Sequence, residues 1–189
     1  NLGMKRENLR FRPHAKNELA HYAREAEDIE YNFPFGWHEI EGIHNRGDWD
    51  LSRHSQFSGE DLSERDGKTG KKFYSYIIET SAGVDRLILA FLVDAYNDEK
   101  KDRFVLQLYP NLAPYRAAVF PLLANKPKLV ELARKIYKVL KTEWVTAWDD
   151  RGNIGKRYWS QDEIGTPFCV TVDFDSLEDK SVTVRNRDS

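Results

Sequence analysis

The sequence predicts two successive architectures: an α+β portion, an antiparallel sheet with flanking helices, and then an α/β portion with a mixed sheet. Three observations predict it. Extended segments at 28–33 and 37–46 are joined by the tight turn Pro34-Phe35-Gly36, a hairpin pattern. Beyond residue 108, strand-like runs alternate with helical ones, the mark of an α/β unit. Between the two patterns lie the charged run Asn97–Arg103 and the break Tyr109-Pro110-Asn111-Leu112-Ala113-Pro114. They place a boundary at 108/109, with domains of 1–108 and 109–189.

Residues 8–12 are short and extended. Pro13 takes the place of a first helical residue, with Leu19, Tyr22, Ala23 and Ala26 as the helix's stripe. A strand over 37–46 puts Trp37, Glu39, Glu41 and Ile43 on one face and His38, Ile40, Gly42 and His44 on the other. Two carboxylates sharing a face repel each other. They are either solvated on an exposed sheet face, the simpler account, or bind Mg2+ beside a nucleotide. Residues 48–57 read as a short helix, and 58–72, with Gly59, Gly67 and Gly70, as a surface loop or exposed hairpin.

The aromatic and β-branched run 73–78 favours a strand. Downstream, Val84, Leu87, Ile88, Phe91, Leu92 and Ala95 recur at helical spacing, and Leu89 and Val93 fill the remaining circumference, so the spacing predicts a helix buried nearly all round. Its entrance nonetheless carries Glu79, Ser81, Asp85 and Arg86. Either Glu79 and Arg86 satisfy each other or neighbouring backbone while Ser81 caps the helix, or the helix N-terminus and Arg86 offer donors to a phosphate while Glu79 holds an ammonium group. Ala82 and Gly83 leave room for a ligand to approach the backbone.

In the second portion, 104–108 and 117–123 read as strands. Residues 128–141 read as a helix with Leu129, Leu132, Ala133, Ile136, Val139 and Leu140 inward. A strand over 144–148, a helix opening at 150–157 and running towards Ile164, a strand over 168–174 and its hairpin partner at 181–185 complete the pattern. The loop Gly152–Arg157 lacks the spacing of a phosphate-binding P-loop. It is either a glycine turn with exposed cations or, through Lys156, Arg157, Tyr158 and Trp159, a patch that grips phosphate and stacks on bases.

Glu79-Thr80-Ser81-Ala82-Gly83-Val84-Asp85-Arg86, followed by Leu-Ile-Leu-Ala, resembles the third signature motif of the class II aminoacyl-tRNA synthetases, in the form carried by the glycyl-tRNA synthetase family. The stretch from Gly36 to Leu51 resembles the segment after that family's second motif, with His44-Asn45-Arg46 where Ala-Asp-Arg or Ala-His-Arg is commoner. The run from Leu112 to Phe168, through Gly-Asn-Ile-Gly-Lys-Arg-Tyr, resembles the family's anticodon-binding domain.

The resemblance covers nearly the whole chain. It implies a glycine–tRNA ligase, which activates glycine with ATP to glycyl-adenylate and transfers it to the 3′ end of tRNA(Gly). It implies that Glu79, Thr80, Ser81, Ala82 and Gly83 bind glycine. Glu39, Ile40, Gly83, Val84, Asp85 and Arg86 would line ATP. Arg86, Glu39 and Arg46 would serve catalysis, and Mg2+ would meet Glu39 through ATP. A cytoplasmic homodimer is implied as well. The family's first two motifs would precede Asn1, so the chain reads as a fragment that is inactive alone and cut short within its anticodon-binding domain. The alternative is a synthetase-like scaffold without catalysis that binds nucleic acid or a partner, as in the processivity subunit of mitochondrial DNA polymerase. The intact Glu79-Thr80-Ser81 and Arg86 favour the enzyme.

The totals are compatible with this. A chain that is 40% hydrophobic and 13% aromatic can bury a core. The formal net charge of −2 gives no global nucleic-acid signal, although 1–103 is acidic and 104–189 basic. The single cysteine, Cys169, excludes an intrachain disulfide and fits a reducing compartment. No apolar run is long enough to span a bilayer. The five histidines match no common zinc spacing and lack cysteine partners, so no zinc is expected.

Overall fold

The structure, a computed structural model, describes residues 2–98 and 103–189. The chain divides into two compact units, one of Lys5–Ala90 and one built on Phe91–Ser189 with the first few residues. The division falls inside a helix, so residues 91–108 go with the second unit by compactness.

The first unit is an antiparallel sheet. Its strands β1 (Leu9–Pro13), β2 (Glu25–Phe33), β3 (Gly36–Gly47) and β6 (Ile77–Ala82) lie in the order β1-β2-β3-β6. Helix α1 (Trp49–Ser58) and a small hairpin, β4 (Glu64–Arg65) with β5 (Lys72–Phe73), are inserted before β6. The turn between β2 and β3 needs positive φ at Gly36 (111°), which glycine adopts without a Cβ penalty. Tyr31 and Phe33 are buried in this unit, with rings 4.8 Å apart edge to face.

Two expectations are corrected here. Pro13 closes β1 and opens no helix: 14–24 is a series of turns, and Ala26 belongs to β2. The His14 N–H donates to the Ala26 carbonyl at 2.9 Å, so pairing with β2 continues past Pro13, whose missing N–H is harmless on an edge strand. Glu39 and Glu41 do not share a face. The β2–β3 register runs Ile29↔Glu41 and then Glu30↔Glu39, leaving Ile40 as an extra residue. Because Ile29 and Glu30 point to opposite faces and paired residues share one, this bulge sends the two carboxylates to opposite sides.

Helix α2 (Val84–Ala95) follows β6 after Gly83 alone. It is not buried all round: Ala90 and Ala95 are buried, whereas Val84 is 70% and Ile88 53% exposed. Hydrophobic spacing sets the helix but not what covers it, and among the described residues nothing covers those positions.

The second unit starts with a short ladder of β7 (Tyr96–Asn97) and β8 (Val105–Leu106). The part of the charged boundary run at 99–102 lies outside the described residues. Strands β9 (Ala117–Pro121), β10 (Thr146–Trp148) and β11 (Phe168–Val172) run parallel, and β12 (Thr183–Asn186) pairs antiparallel with β11, in the order β10-β9-β11-β12. Every residue of β9 is buried, as expected of a parallel strand covered on both faces. Helix α3 (Pro127–Glu143) packs Leu129 and Ala133 on Val119, Val170 and Val172. Helix α4 (Ile154–Ile164) brings Ile154 and Tyr158 to Ala118, Phe120 and Cys169 on the other face. Val139, expected inward, is 67% exposed, while Leu132, Ile136 and Leu140 are partly buried on the core. A short helix, α5 (Asp175–Asp179), was not foreseen.

Candidate functional site

The site is built on one face of the first unit's sheet. Directly opposite residues of an antiparallel ladder share a face. Three rows then cross it: Arg12, Asp28, Gly42 and Ser81; Ala26, His44 and Glu79; and Arg10, Glu30 and Glu39. The opposite face carries Phe11, Ile29, Glu41, Ile43, Thr80 and Ala82. Of the expected amino-acid-binding run, Glu79 and Ser81 thus send side chains to the polar face. Thr80 and Ala82 send theirs to the other and offer this face only backbone.

Arg46 does not reach out alone. Its guanidinium donates to both carboxylate oxygens of Asp50, at 2.6 and 2.8 Å, and to Glu79, and lies 4.0 Å above the Tyr22 ring. Hydrogen bonds to Asp50, and then to Glu79, raise the Arg46 pKa above its ordinary value, and Arg46 in turn holds the Asp50 carboxyl below its own. One cation among two carboxylates leaves net negative charge, and the Glu79 side chain stays 34% exposed, open to a further cation. Glu79 and Arg86 do not pair with each other; Arg86 instead satisfies neighbouring backbone, the other form of that expectation. Glu79 pairs with Arg46, and the exposed Arg86 donates to the Glu39 backbone carbonyl at 2.8 Å. That bond pins the first turn of α2 to β3. Asp85 sits in the same turn, where a carboxylate complements the helix dipole. The Glu39 carboxylate is exposed on the polar face, and Ile40 is buried in the bulge.

Sequence reasoning missed the rest of this face. Asp28 and Glu30 are 6% and 8% exposed. Arg10 donates to Glu30 at 2.6 Å, and His14 Nε2 and Asp28 Oδ2 are 2.7 Å apart. Arg12 lies 3.5 Å from Asp28 and donates to Glu18 at 2.7 Å. Buried carboxylates need such partners. The signal was available: Asp28 and Glu30 stand two apart and alternate with the apolar Ile29, Tyr31 and Phe33.

In the second unit, Lys156 is exposed in the first turn of α4, its N–H donating to the Asn153 side chain that caps the helix. Arg157 is 2% exposed, and its guanidinium donates to the carbonyls of Pro121, Asp150, Arg151 and Gly152 at 2.6–3.1 Å. Its assignment to RNA contact is corrected: it braces the loop. The Tyr158 ring is also occupied, edge-on to Phe120 with its hydroxyl 2.5 Å from the Thr171 hydroxyl. Among the described residues, no group of three or more His, Cys, Asp or Glu could hold a metal.

Residues 116–189 match the anticodon binding domain family. The whole chain aligns with curated glycine–tRNA ligases: 57% identical to that of Caldanaerobacter subterraneus subsp. tengcongensis, covering 41% of it. It is 51% identical to that of Geobacillus kaustophilus and 52% to that of Borrelia hermsii, covering 41% and 43% of them and all of this chain. The fold matches solved synthetase structures: a Giardia lamblia prolyl-tRNA synthetase structure in complex with prolyl-adenylate superposes with a TM-score of 0.69 at 19% identity, over 96% of this chain and 36% of that one. A Cryptosporidium parvum prolyl-tRNA synthetase structure gives 0.68 at 20%, over 96% and 38%. By sequence, the chain is similar over its whole length to glycine–tRNA ligases, of whose length it spans about two-fifths.

Proposed function

We propose that the full-length protein activates glycine with ATP to glycyl-adenylate and transfers the glycyl group to the 3′ end of tRNA(Gly). The observation that carries this reading is the polar sheet face, where Glu79 and Ser81 stand beside Glu39, Arg46 and the Arg86-pinned start of α2. Glu79, partly neutralised by Arg46, takes the glycine ammonium together with Ser81. ATP lies along Glu39, Ile40 and the Gly83–Arg86 turn, with Arg86 leaving its carbonyl partner for the triphosphate. Glu39 would meet phosphate-borne Mg2+, an ion content with one or two carboxylates when phosphates supply the rest; Glu41, on the far face, would not. Mg2+ supplies charge neutralisation when bound. The protein's own share is positioning and electrostatic stabilisation, with no covalent nucleophile.

Residues 1–108 serve as catalytic-domain sequence and 109–189 as the anticodon-binding part, where Lys156 meets tRNA. The whole enzyme acts as a cytoplasmic homodimer. The test is glycine-dependent ATP–pyrophosphate exchange by the full-length protein. Exchange with glycine supports the reading. A folded protein that exchanges with none of the standard amino acids overturns it in favour of a binding scaffold.

A further inference from the structure

Arg46 stands where β3 leaves the ladder. Its neighbours Asn45 and Gly47 face Ile78 and Ile77, so Arg46 is the extra residue of a bulge opposite β6. Gly47, at φ 57°, then turns the chain towards α1. That turn carries Asp50, in the first turn of α1, back onto Arg46 four residues earlier. The two meet side-on: Arg46 Nε donates to Asp50 Oδ2 at 2.6 Å, and Nη2 to Oδ1 at 2.8 Å. This is the fork that matches a guanidinium to both oxygens of a carboxylate. It leaves Nη1, at the far tip, to donate to Glu79 Oε2. The Tyr22 ring lies 4.0 Å from the guanidinium carbon and holds the plane from one side. Arg46 therefore gives two bonds to Asp50 and one to Glu79, although Glu79 is the more exposed of the two carboxylates.

We propose that Asp50 is a positioning residue of the amino-acid site: by taking the Nε and Nη2 donors of Arg46, it confines that guanidinium to one bond with Glu79 and keeps the cluster one charge negative, so that Glu79 stays available to a substrate ammonium. The inference rests on the reading that Glu79 holds the glycine ammonium. Without the Asp50 carboxylate, the fork is free to turn and close on both oxygens of Glu79. The remaining pair then sums to zero charge, and an incoming ammonium must compete with a guanidinium already in place. Asp50 acts through Arg46 and needs no contact with the substrate. Tyr22 belongs to the same device, because its ring limits how far the guanidinium can turn.

The experiment is ATP–pyrophosphate exchange by the full-length protein, with glycine and ATP varied in turn, comparing wild type, Asp50→Asn and Asp50→Glu. Asparagine keeps the size of Asp50 and removes its charge. It is expected to raise the KM for glycine about tenfold, the worth of one charge-assisted hydrogen bond, with kcat within about threefold and the KM for ATP unchanged. Asp50→Glu keeps a carboxylate for the fork and is expected to hold the KM for glycine within about threefold of wild type. A merely structural role in anchoring α1 would lower the active fraction, and with it kcat, and leave KM in place. An unchanged KM for glycine in Asp50→Asn, an equal rise in the KM for ATP, or equal impairment in Asp50→Glu overturns the proposal. If Asp50→Asn does not fold, Tyr22→Leu decides: without the ring the guanidinium turns onto Glu79 and the KM for glycine rises several-fold, and an unchanged KM overturns the inference. A wild-type protein without glycine exchange, or a Glu79→Ala variant with an unchanged KM for glycine, fails the reading of the site itself. A Glu79→Ala variant that raises that KM beside an insensitive Asp50→Asn fails Asp50 alone.

Discussion

Arg157→Ala separates a structural arginine from an RNA-binding one. The guanidinium makes four hydrogen bonds to backbone carbonyls. A bond from a charged donor contributes about 1.5–3 kcal/mol, so four set an upper bound near 6–12 kcal/mol. Most of that is recoverable. The carbonyls of residues 150–152 belong to a half-exposed loop that can turn to water, and the Pro121 carbonyl is the acceptor that is fully buried with its donor. Counting that bond in full and the others at a fraction gives about 3 kcal/mol. For a unit of this size, each kcal/mol lowers Tm by about 4–8 °C, which predicts a fall of about 12–24 °C. Thermal unfolding of the 189-residue chain, followed by tryptophan fluorescence, reads it, since Trp144, Trp148 and Trp159 lie in the second unit. Arg157→Lys should recover little, because an ammonium cannot span four acceptors. A Tm within about 2 °C of wild type, together with weakened tRNA binding by the full-length protein, would refute the reasoning and restore Arg157 to the RNA surface.

Asp162 is fully buried between Arg103 and Arg185, and Asp162→Ala leaves two arginines without their carboxylate; a loss of about 3–5 kcal/mol is expected in urea unfolding. Burial pushes the Cys169 thiol up to about 12, so iodoacetamide at pH 8 should label it only in denaturant. Because that pKa is higher folded than unfolded, its contribution to stability is complete below the unfolded value near 8.5. It declines as pH rises towards 12, which unfolding curves at pH 7 and 10 should reveal against Cys169→Ala. Gly165 ends α4 at φ 89°, and a Cβ there would lie 3.0 Å from the Leu106 carbonyl oxygen; Gly165→Ala should cost about 1–3 kcal/mol in the same assay. On the proposed reading that Glu79 holds the glycine ammonium, Glu79→Ala in the full-length protein should raise the KM for glycine at least about tenfold, while the KM for ATP moves less.

Local pattern carried much of this protein. Alternation and the Pro-Phe-Gly turn were enough for the β2–β3 hairpin, and three- and four-residue spacing for α2 and α3. The motif from Glu79 to Arg86 carries the resemblance to the glycine–tRNA ligases with which the chain aligns, because the chemistry of a site is written in its residue types.

What the sequence could not show were relations between segments. One extra residue at Ile40 decided that Glu39 and Glu41 part, since a bulge inverts every later side chain, and no local signal marks it. The stripe after Pro13 looked helical, yet 14–24 forms turns and Ala26 belongs to β2. Arg157 looked like an RNA contact beside Lys156 and Trp159, and only the packed unit shows its guanidinium turned inward to four carbonyls. The apolar circumference of α2 promised burial, but burial depends on what packs against a helix, and the chain spans about two-fifths of its relatives' length. Residue type and spacing set what each segment can do; register and long-range packing decided which side chains meet on one face.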